Sequence, residues 1–565
     1  MRGRECVRLD PRSRLPSLAQ RLQLCGIGLL LGTLFFAASL TPSLIPRSYA
    51  IQGVLAGVSF AIGYVLGVSW RWLWRYLELP EPNARLRVVT TSVLALLCLG
   101  VAVWFLWRSA DWQNSVRAVV GMAPVEGGHA LKVCLISIAT FLILLGLARA
   151  FWLLAGWLSG VTGSLVPRRV AKAAGVGAAA VLFWMVASDI LVRSLLNILD
   201  ASYREFNELI EPERPQPLDP TRTGSPASLV DWSDLGRAGR EFIAETPAAA
   251  EITALTGRVA QTPVRVYVGL PSEEDHVERA RLALEELKRI GGFQRSRLVI
   301  ITPTGTGWVD PSAMAAIEYL SDGDVASVAL QYSYLSSPLS LLTEPGYGSE
   351  AAQALFHEVY RHWTGLPPEA RPELYLHGLS LGAMNSERSA ELFEILADPI
   401  DGALWSGPPF QSRIWRRITE WRNPGSPQWL PEFRDGSLVR FMNQDGSRIP
   451  PTRPWGALRV VYLQYASDPI VFFDYRDLYR RPDWMVSPTG PDVSAKLRWY
   501  PVVTMLQLAV DMAFATDTPI GYGHVYAPED YAAAWTAVAN ISDWPEERLA
   551  FVRERLAEEL RSRRD

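Results

Sequence analysis

The stretch Gly378-Leu379-Ser380-Leu381-Gly382 holds the residue types and spacing for nucleophilic chemistry. A short apolar run ends at Gly378, and a small-residue run begins after Ser380. Gly-x-Ser-x-Gly between a strand and a helix is the pattern of a nucleophile elbow. The turn is so sharp that side chains two residues either side of the serine would collide, which accounts for both glycines. It lifts the hydroxyl clear of the sheet and points the Leu381 N–H into the same space as an oxyanion donor. Three fixed positions of common residue types also arise by chance, so the pattern needs partners to carry weight.

A serine of this kind needs a base and an acid, in the chain order Ser, Asp or Glu, His. Of the histidines at 129, 276, 357, 362, 377 and 524, only His524 follows Ser380. It lies in Pro519-Ile520-Gly521-Tyr522-Gly523-His524-Val525-Tyr526, a glycine-rich loop ahead of a C-terminal helix. A lone loop histidine is ordinarily a surface residue; the need for a downstream base singles this one out. Asp468 follows the strand-like run Leu458–Tyr465 and precedes Pro469. An aspartate just past a strand end is placed to hold an imidazole by its Nδ1–H. Asp before Pro also starts ordinary turns. Asp474 and Asp511 are the rivals, one in an aromatic run and one mid-helix.

A second oxyanion donor is expected from the glycine-rich loop Thr302–Pro311, with Gly305, Thr306 and Gly307 as candidates alongside Thr304. A phosphate-cradling loop would need Lys with Ser or Thr after the last glycine, and Trp308 stands there.

The elements that must position these residues alternate. Strand-like runs at Val264–Val268, Leu298–Ile301, Val325–Gln331, Leu374–Gly378, Ala403–Trp405, Leu438–Phe441 and Arg459–Tyr465 are separated by helical stretches. The helix after the elbow is expected from Ser380 to about Leu396. Alternation of this kind predicts a mostly parallel sheet flanked by helices, with the site at the strands' C-terminal ends. Residues 407–456 are rich in Trp and Pro. They are read as a possible cap over an apolar cleft, a core-covering insertion or a lipid-facing surface.

The N-terminal part differs in kind. Residues 1–23 form a basic arm, and five apolar runs follow, about Leu24–Ile45, Ile51–Trp70, Val88–Trp107, Lys132–Leu154 and Ala173–Ile198. Each approaches the ~20 residues that cross a bilayer. Trp and Arg cluster at their ends, as at Trp70-Arg71-Trp72. The first run lacks a small-x-small cleavage site and ends in Pro42 and Pro46, unlike a signal peptide. Gly53/Gly57 and Gly63/Gly67 are Gly-x-x-x-Gly pairs that permit close helix packing, though membrane helices are glycine-rich in any case. Asp189 and Arg193 are placed to pair on one helix face. Lys and Arg concentrate in the arm, in 71–87 and in 158–172, which assigns those segments to the cytoplasm. Five spans then leave everything after about residue 199 outside it. The expected division is a membrane domain at 24–199, a Pro-rich linker at 200–229 and a catalytic domain at 230–565.

The chain of 565 residues carries a net charge of −3, which argues against nucleic acid as a partner. Its four cysteines all lie before residue 135, so a disulfide framework or cysteine nucleophile in the catalytic part is excluded.

Together with the elbow, Ser39-Leu40-Thr41-Pro42-Ser43-Leu44-Ile45-Pro46-Arg47, Leu235-Gly236-Arg237-Ala238-Gly239-Arg240, Pro303–Trp308, Gln331–Leu335, Ser467-Asp468-Pro469 and Gly523-His524 carry a resemblance. Nearly the whole chain is similar to the bacterial membrane-anchored alpha/beta-hydrolase family, in which a multi-spanning N-terminal domain precedes the catalytic one. The resemblance implies a serine hydrolase fold and names no substrate.

The expected function is an esterase- or lipase-like hydrolase in the cell membrane, working on a lipid or acylated envelope component without metal or organic cofactor. Its expected partners are the bilayer and an ester substrate. Acyl transfer by the same triad is one alternative, and a non-catalytic receptor or scaffold on this fold is another.

Overall fold

A computed structural model describes residues 24–80, 83–127, 129–163, 166–186, 207, 211, 214–335, 346–390, 392–486, 488–541 and 544–562. The chain folds as two compact units. One comprises 1–118, 123–176 and 496–507; the other comprises 119–122, 177–495 and 508–565.

The first unit is helical. Its helices are α1 (Gly26–Ser39), α2 (Tyr49–Tyr76), α3 (Ala84–Val119) and α4 (Ala130–Thr162), followed by α5 (Arg168–Met185), which runs on past 176. Among the described residues, three stretches are long and apolar enough to cross a membrane: Tyr49–Tyr76, Val89–Val119 and Ala130–Thr162. Of the five expected runs, the first falls short. The first run makes a helix of 14 residues, which reaches about 21 Å at 1.5 Å per residue against a hydrocarbon core of about 30 Å. Its end is chemical. Ser39 and Thr41 bond back to the carbonyls of Phe36 and Ala38 at 2.7 and 2.6 Å, and Pro42 cannot continue a helix. The carbonyls left over are capped by side chains, Ser39 O by Gln52 Nε2 at 2.9 Å and Thr41 O by Gln507 Nε2 at 3.0 Å. The fifth run gives α5 up to Met185, and the rest of it, with Asp189 and Arg193, lies outside the described residues.

Both glycine pairs sit where helices meet. A methyl on Gly53 or Gly57 would stand 2.7 Å from Ile136 Cβ or 2.6 Å from Thr140 Cβ on α4. One on Gly63 or Gly67 would stand 2.6 Å from Leu31 O or Gly28 Cα on α1. Two different faces of α2 therefore receive neighbours at close distance.

The second unit is built on seven parallel strands: β1 (Val264–Val268), β2 (Arg297–Thr302), β3 (Val325–Leu330), β4 (Glu373–Leu379), β5 (Gly402–Ser406), β6 (Val439–Met442) and β7 (Arg459–Leu463). Their order is β1-β3-β2-β4-β5-β7-β6. The strands are almost wholly buried, as parallel strands covered on both faces are. Helices α6 (His276–Arg289), α7 (Pro311–Leu320), α8 (Tyr347–Thr364), α9 (Leu381–Ser386), α10 (Arg413–Glu420), α11 (Val503–Ala513), α12 (Pro528–Val538) and α13 (Glu546–Ser562) follow in chain order. The first half of α11 belongs to the helical unit.

From β2 the chain crosses to β3 on one side, and from β4 to β5 on the other, while β2 and β4 are hydrogen-bonded neighbours. That makes their C-terminal ends the topological switch point, where the loops diverge and leave a crevice. The two loops concerned are 303–310 and the Ser380 turn.

One local expectation is corrected, and the strand expected at Leu438–Phe441 is present. The helix after the elbow stops at Ser386, because Ser389 and its neighbours close tight turns instead: Ser389 N and Oγ both bond Ser386 O. The 407–456 region contributes β6, which pairs in parallel with β7 at the sheet edge, in addition to α10.

Candidate active site

The elbow is built by backbone contact. Ser380 adopts φ +57°, ψ −125°, a conformation that costs a non-glycine residue roughly 1–3 kcal/mol. The surroundings hold it: Ser380 N–H donates to Ser406 O on β5 at 2.9 Å. A methyl on Gly378 would stand 2.5 Å from the Gly382 carbonyl, and one on Gly382 would stand 2.8 Å from Pro303 O. The first contact closes the turn. The second presses the elbow against the loop that leaves β2.

That loop is fastened from behind. Thr304 N–H donates to Trp308 O at 3.0 Å and Gly307 N–H to Thr304 O at 2.9 Å. Tyr267 Oη donates to Gly307 O at 2.7 Å, and Gln331 Nε2 donates to Thr306 O at 3.3 Å. Gly307 sits at φ +84°, a conformation that favours glycine. Its N–H is spent inside the loop's own turn. Among the described residues, the N–H groups of Leu381 and Thr306 have no backbone acceptor.

The structure brings Asp468 and His524 together. Asp468 caps the short helical turn Pro469–Phe472 beyond β7, its Oδ1 accepting from Ile470 N–H at 2.9 Å. Its Oδ2 lies 2.6 Å from His524 Nδ1. The carboxylate is fully buried, and Tyr526 Oη donates to the same Oδ2 at 2.8 Å. Burial, then the charge of Asp468, pushes the Tyr526 phenol well above its usual value, so it stays a donor. His524 Nε2 is buried and has no hydrogen-bond partner among the described residues. Ser380 and His524 are 6 % and 7 % exposed, so both sit in a largely water-excluded space.

The rivals lie elsewhere. Asp474 caps the turn Tyr475–Leu478 and stands 3.7 Å from Arg416. Asp511 is buried within α11. His524 Nδ1 bonds neither.

Several positioning residues escaped the sequence reading. Gly407, at φ +50° just past β5, lies against the imidazole ring. Ser467 accepts from Gly523 N–H at 2.9 Å and donates to the buried Asp492 at 2.5 Å, so it ties the histidine loop to the acid turn. Tyr465 stacks on Tyr526 with centroids 4.5 Å apart, and its hydroxyl accepts from Ala527 N–H at 2.9 Å. Tyr526 had a local signal, a hydroxyl two residues past His524; Gly407 and Asp492 had none. Among the described residues no three His, Cys, Asp or Glu side chains converge as metal ligands.

The arrangement supplies a strained serine at a switch point, an imidazole held by a buried carboxylate, and N–H groups beside the serine. Groups of these kinds can abstract a proton from a hydroxyl and stabilise a nearby oxyanion.

Comparison with known proteins follows the same lines. A family model described as "Alpha/beta-hydrolase family" matches residues 264–552. One described as "Alpha/beta-hydrolase family N-terminus" matches residues 40–247. No curated protein and no solved structure matches the chain.

Proposed function

The chain belongs to the alpha/beta-hydrolase family, and from that premise we propose that it is a membrane-anchored serine hydrolase of ester bonds. Family and fold support a hydrolase-type function. The serine-nucleophile reading rests on one observation: His524 offers a buried Nε2 without a hydrogen-bond partner among the described residues while Asp468 holds its Nδ1 at 2.6 Å.

Ser380 Oγ attacks the acyl carbonyl as His524 Nε2 takes its proton. Asp468 fixes the tautomer and stabilises the imidazolium. The oxyanion receives the N–H of Leu381 and one from the 304–307 loop, where Thr306 fits better than Gly307 because the latter's N–H is already committed. His524 returns the proton to the leaving alcohol, and water then releases the acid by the same steps reversed. An alcohol in place of water would turn the same site to acyl transfer.

The three apolar stretches suggest membrane association. The bias of Lys and Arg towards 71–87 and 158–172, with the fifth apolar run as a further crossing, favours a cell-membrane protein whose catalytic part lies outside the cytoplasm. The substrate that fits this setting is a lipid or acylated envelope component.

The test is turnover of a p-nitrophenyl acyl ester by the full chain. Ser380→Ala and His524→Ala are each expected to lose several powers of ten, and the double variant little more, because such residues act as a unit. Additive losses, or an active Ser380→Ala, would refute the assignment.

A further inference from the structure

Two stretches outside the triad, 413–422 and 474–486, wall a cleft of about 450 Å³. Its inner wall is aromatic, with Phe410, Trp415, Phe472, Phe473 and Trp484. Val471 and Phe472 also line it and belong to the turn that Asp468 caps. Thr419 lines it too; this residue is 2 % exposed and its Oγ1 has no hydrogen-bond partner among the described residues.

The rim is basic. Seven arginines stand against four acids over the two stretches, in a chain whose net charge is −3. Arg416, Arg422 and Arg480 are partly neutralised by Asp474 and Asp483 at 3.2–3.7 Å. Arg476 makes no ion pair among the described residues. Glu420 and Asp477 complete the acids; burial lifts Asp477 to about 7, which reduces its charge at neutral pH.

Beside the arginines the surface is apolar in a way that water alone does not favour. Ile414, Trp421, Tyr475, Leu478, Tyr479 and Val486 are all exposed, Tyr479 by 68 %. Among the described residues, six of the thirteen large apolar side chains left exposed after residue 210 fall in these two stretches, so the exposure is concentrated rather than scattered. Arg417 lies over the Trp421 ring at 4.7 Å. Exposed Trp and Tyr interleaved with Arg is the composition of a surface that rests in a headgroup layer. Each basic residue near an anionic leaflet contributes about 1 kcal/mol.

We propose that this cleft docks on a bilayer surface and receives the phosphate-bearing headgroup of an anionic lipid, with Trp421, Tyr475 and Tyr479 seated in the interfacial layer. Arg476 and Arg480 meet the phosphate, and the Thr419 hydroxyl is a further donor at the inner wall. The docking does not depend on ester cleavage, so it stands or falls apart from the hydrolase reading.

The test is hydrogen–deuterium exchange of the full chain in nanodiscs of phosphatidylcholine alone or mixed with phosphatidylglycerol. Peptides covering 413–422 and 474–486 are expected to exchange roughly fivefold or more slowly with the anionic lipid, and to lose that protection at high salt. Arg476→Gln with Arg480→Gln, and separately Trp421→Ser with Tyr479→Ser, should abolish the protection while sheet peptides keep their rates. Ser380→Ala should behave as the unaltered chain does. Equal exchange in both lipids, or protection that survives the arginine variant, would overturn the proposal. So would protection by inorganic phosphate in phosphatidylcholine nanodiscs, which would assign the cleft to a soluble anion. Protection lost on Ser380→Ala would place the lipid at the serine and overturn it equally.

Discussion

Gly407 and His524 touch so closely that a methyl group on the glycine would stand 2.6 Å from Cε1 and 2.9 Å from Nδ1 of the imidazole. Gly407 also holds φ +50°, with its N–H bonded to Leu463 O at 2.9 Å. The ring's orientation is thus set from one side by Asp468 and from the other by a backbone with no side chain. Gly407→Ala is expected to tilt the ring and lower kcat by about 10²-fold with little change in KM. Its unfolding temperature should fall slightly. Steady-state kinetics at matched expression would check it, and unaltered kcat would mean the ring has room to shift.

Tyr526 and Asp468 give a prediction on the hold over the imidazole. Tyr526→Phe removes one of three donors from the carboxylate. The carboxylate is then less firmly placed, so kcat should fall by about tenfold with KM little changed, and an unaltered kcat would show that Tyr526 does not position it. Asp468→Asn should leave His524 in the wrong tautomer and cost on the order of 10⁴-fold in turnover, whereas Asp474→Asn should be mild. A dead Asp474→Asn beside an active Asp468→Asn would show the acid to be misplaced.

What the chain disclosed and what it hid divide along physical lines. The meeting of Asp468 and His524 and the turn at Ser380 were legible because each sits in a local pattern whose order along the chain is constrained. The seven strands were legible because buried parallel strands are continuous apolar runs, as Val264–Val268 shows. The contacts of Gly407 and Asp492 were not, because they arise only when β5 and the residues after β7 close around the histidine loop. The first apolar run was misjudged because hydropathy counts composition, whereas Ser39, Thr41 and Pro42 decide where the backbone stops being helical.

Glu387, just past α9, offers a stability test away from the triad. Burial lifts it from 4.5 to about 8, against an opposing hydrogen bond from Tyr462 Oη at 2.9 Å. The folded chain therefore keeps a proton that the unfolded chain releases. Stability from this group is complete below the unfolded value and declines as pH rises towards the folded one. Thermal unfolding of the full chain should show that decline, on the order of a few kcal/mol, between those two values. Glu387→Gln should flatten it. An equal slope in both proteins would place the charge elsewhere.

The membrane arrangement is tested by fusion. With 71–87 and 158–172 in the cytoplasm, a crossing by the fifth apolar run puts residue 565 on the far side. A C-terminal alkaline phosphatase should then be active and a C-terminal fluorescent protein dark. The reverse pattern would mean that the fifth run does not cross.

The central claim is that Ser380 is a nucleophile activated by His524, and its most direct measurement is covalent labelling. A fluorophosphonate probe reacts only with a serine whose proton a neighbouring base removes. Incubated with the full chain in membranes and followed by peptide mass spectrometry, the probe is predicted to be found on Ser380, with no labelling in Ser380→Ala and a large loss in His524→Ala. Labelling at another serine, or no labelling of a folded chain, would contradict the account.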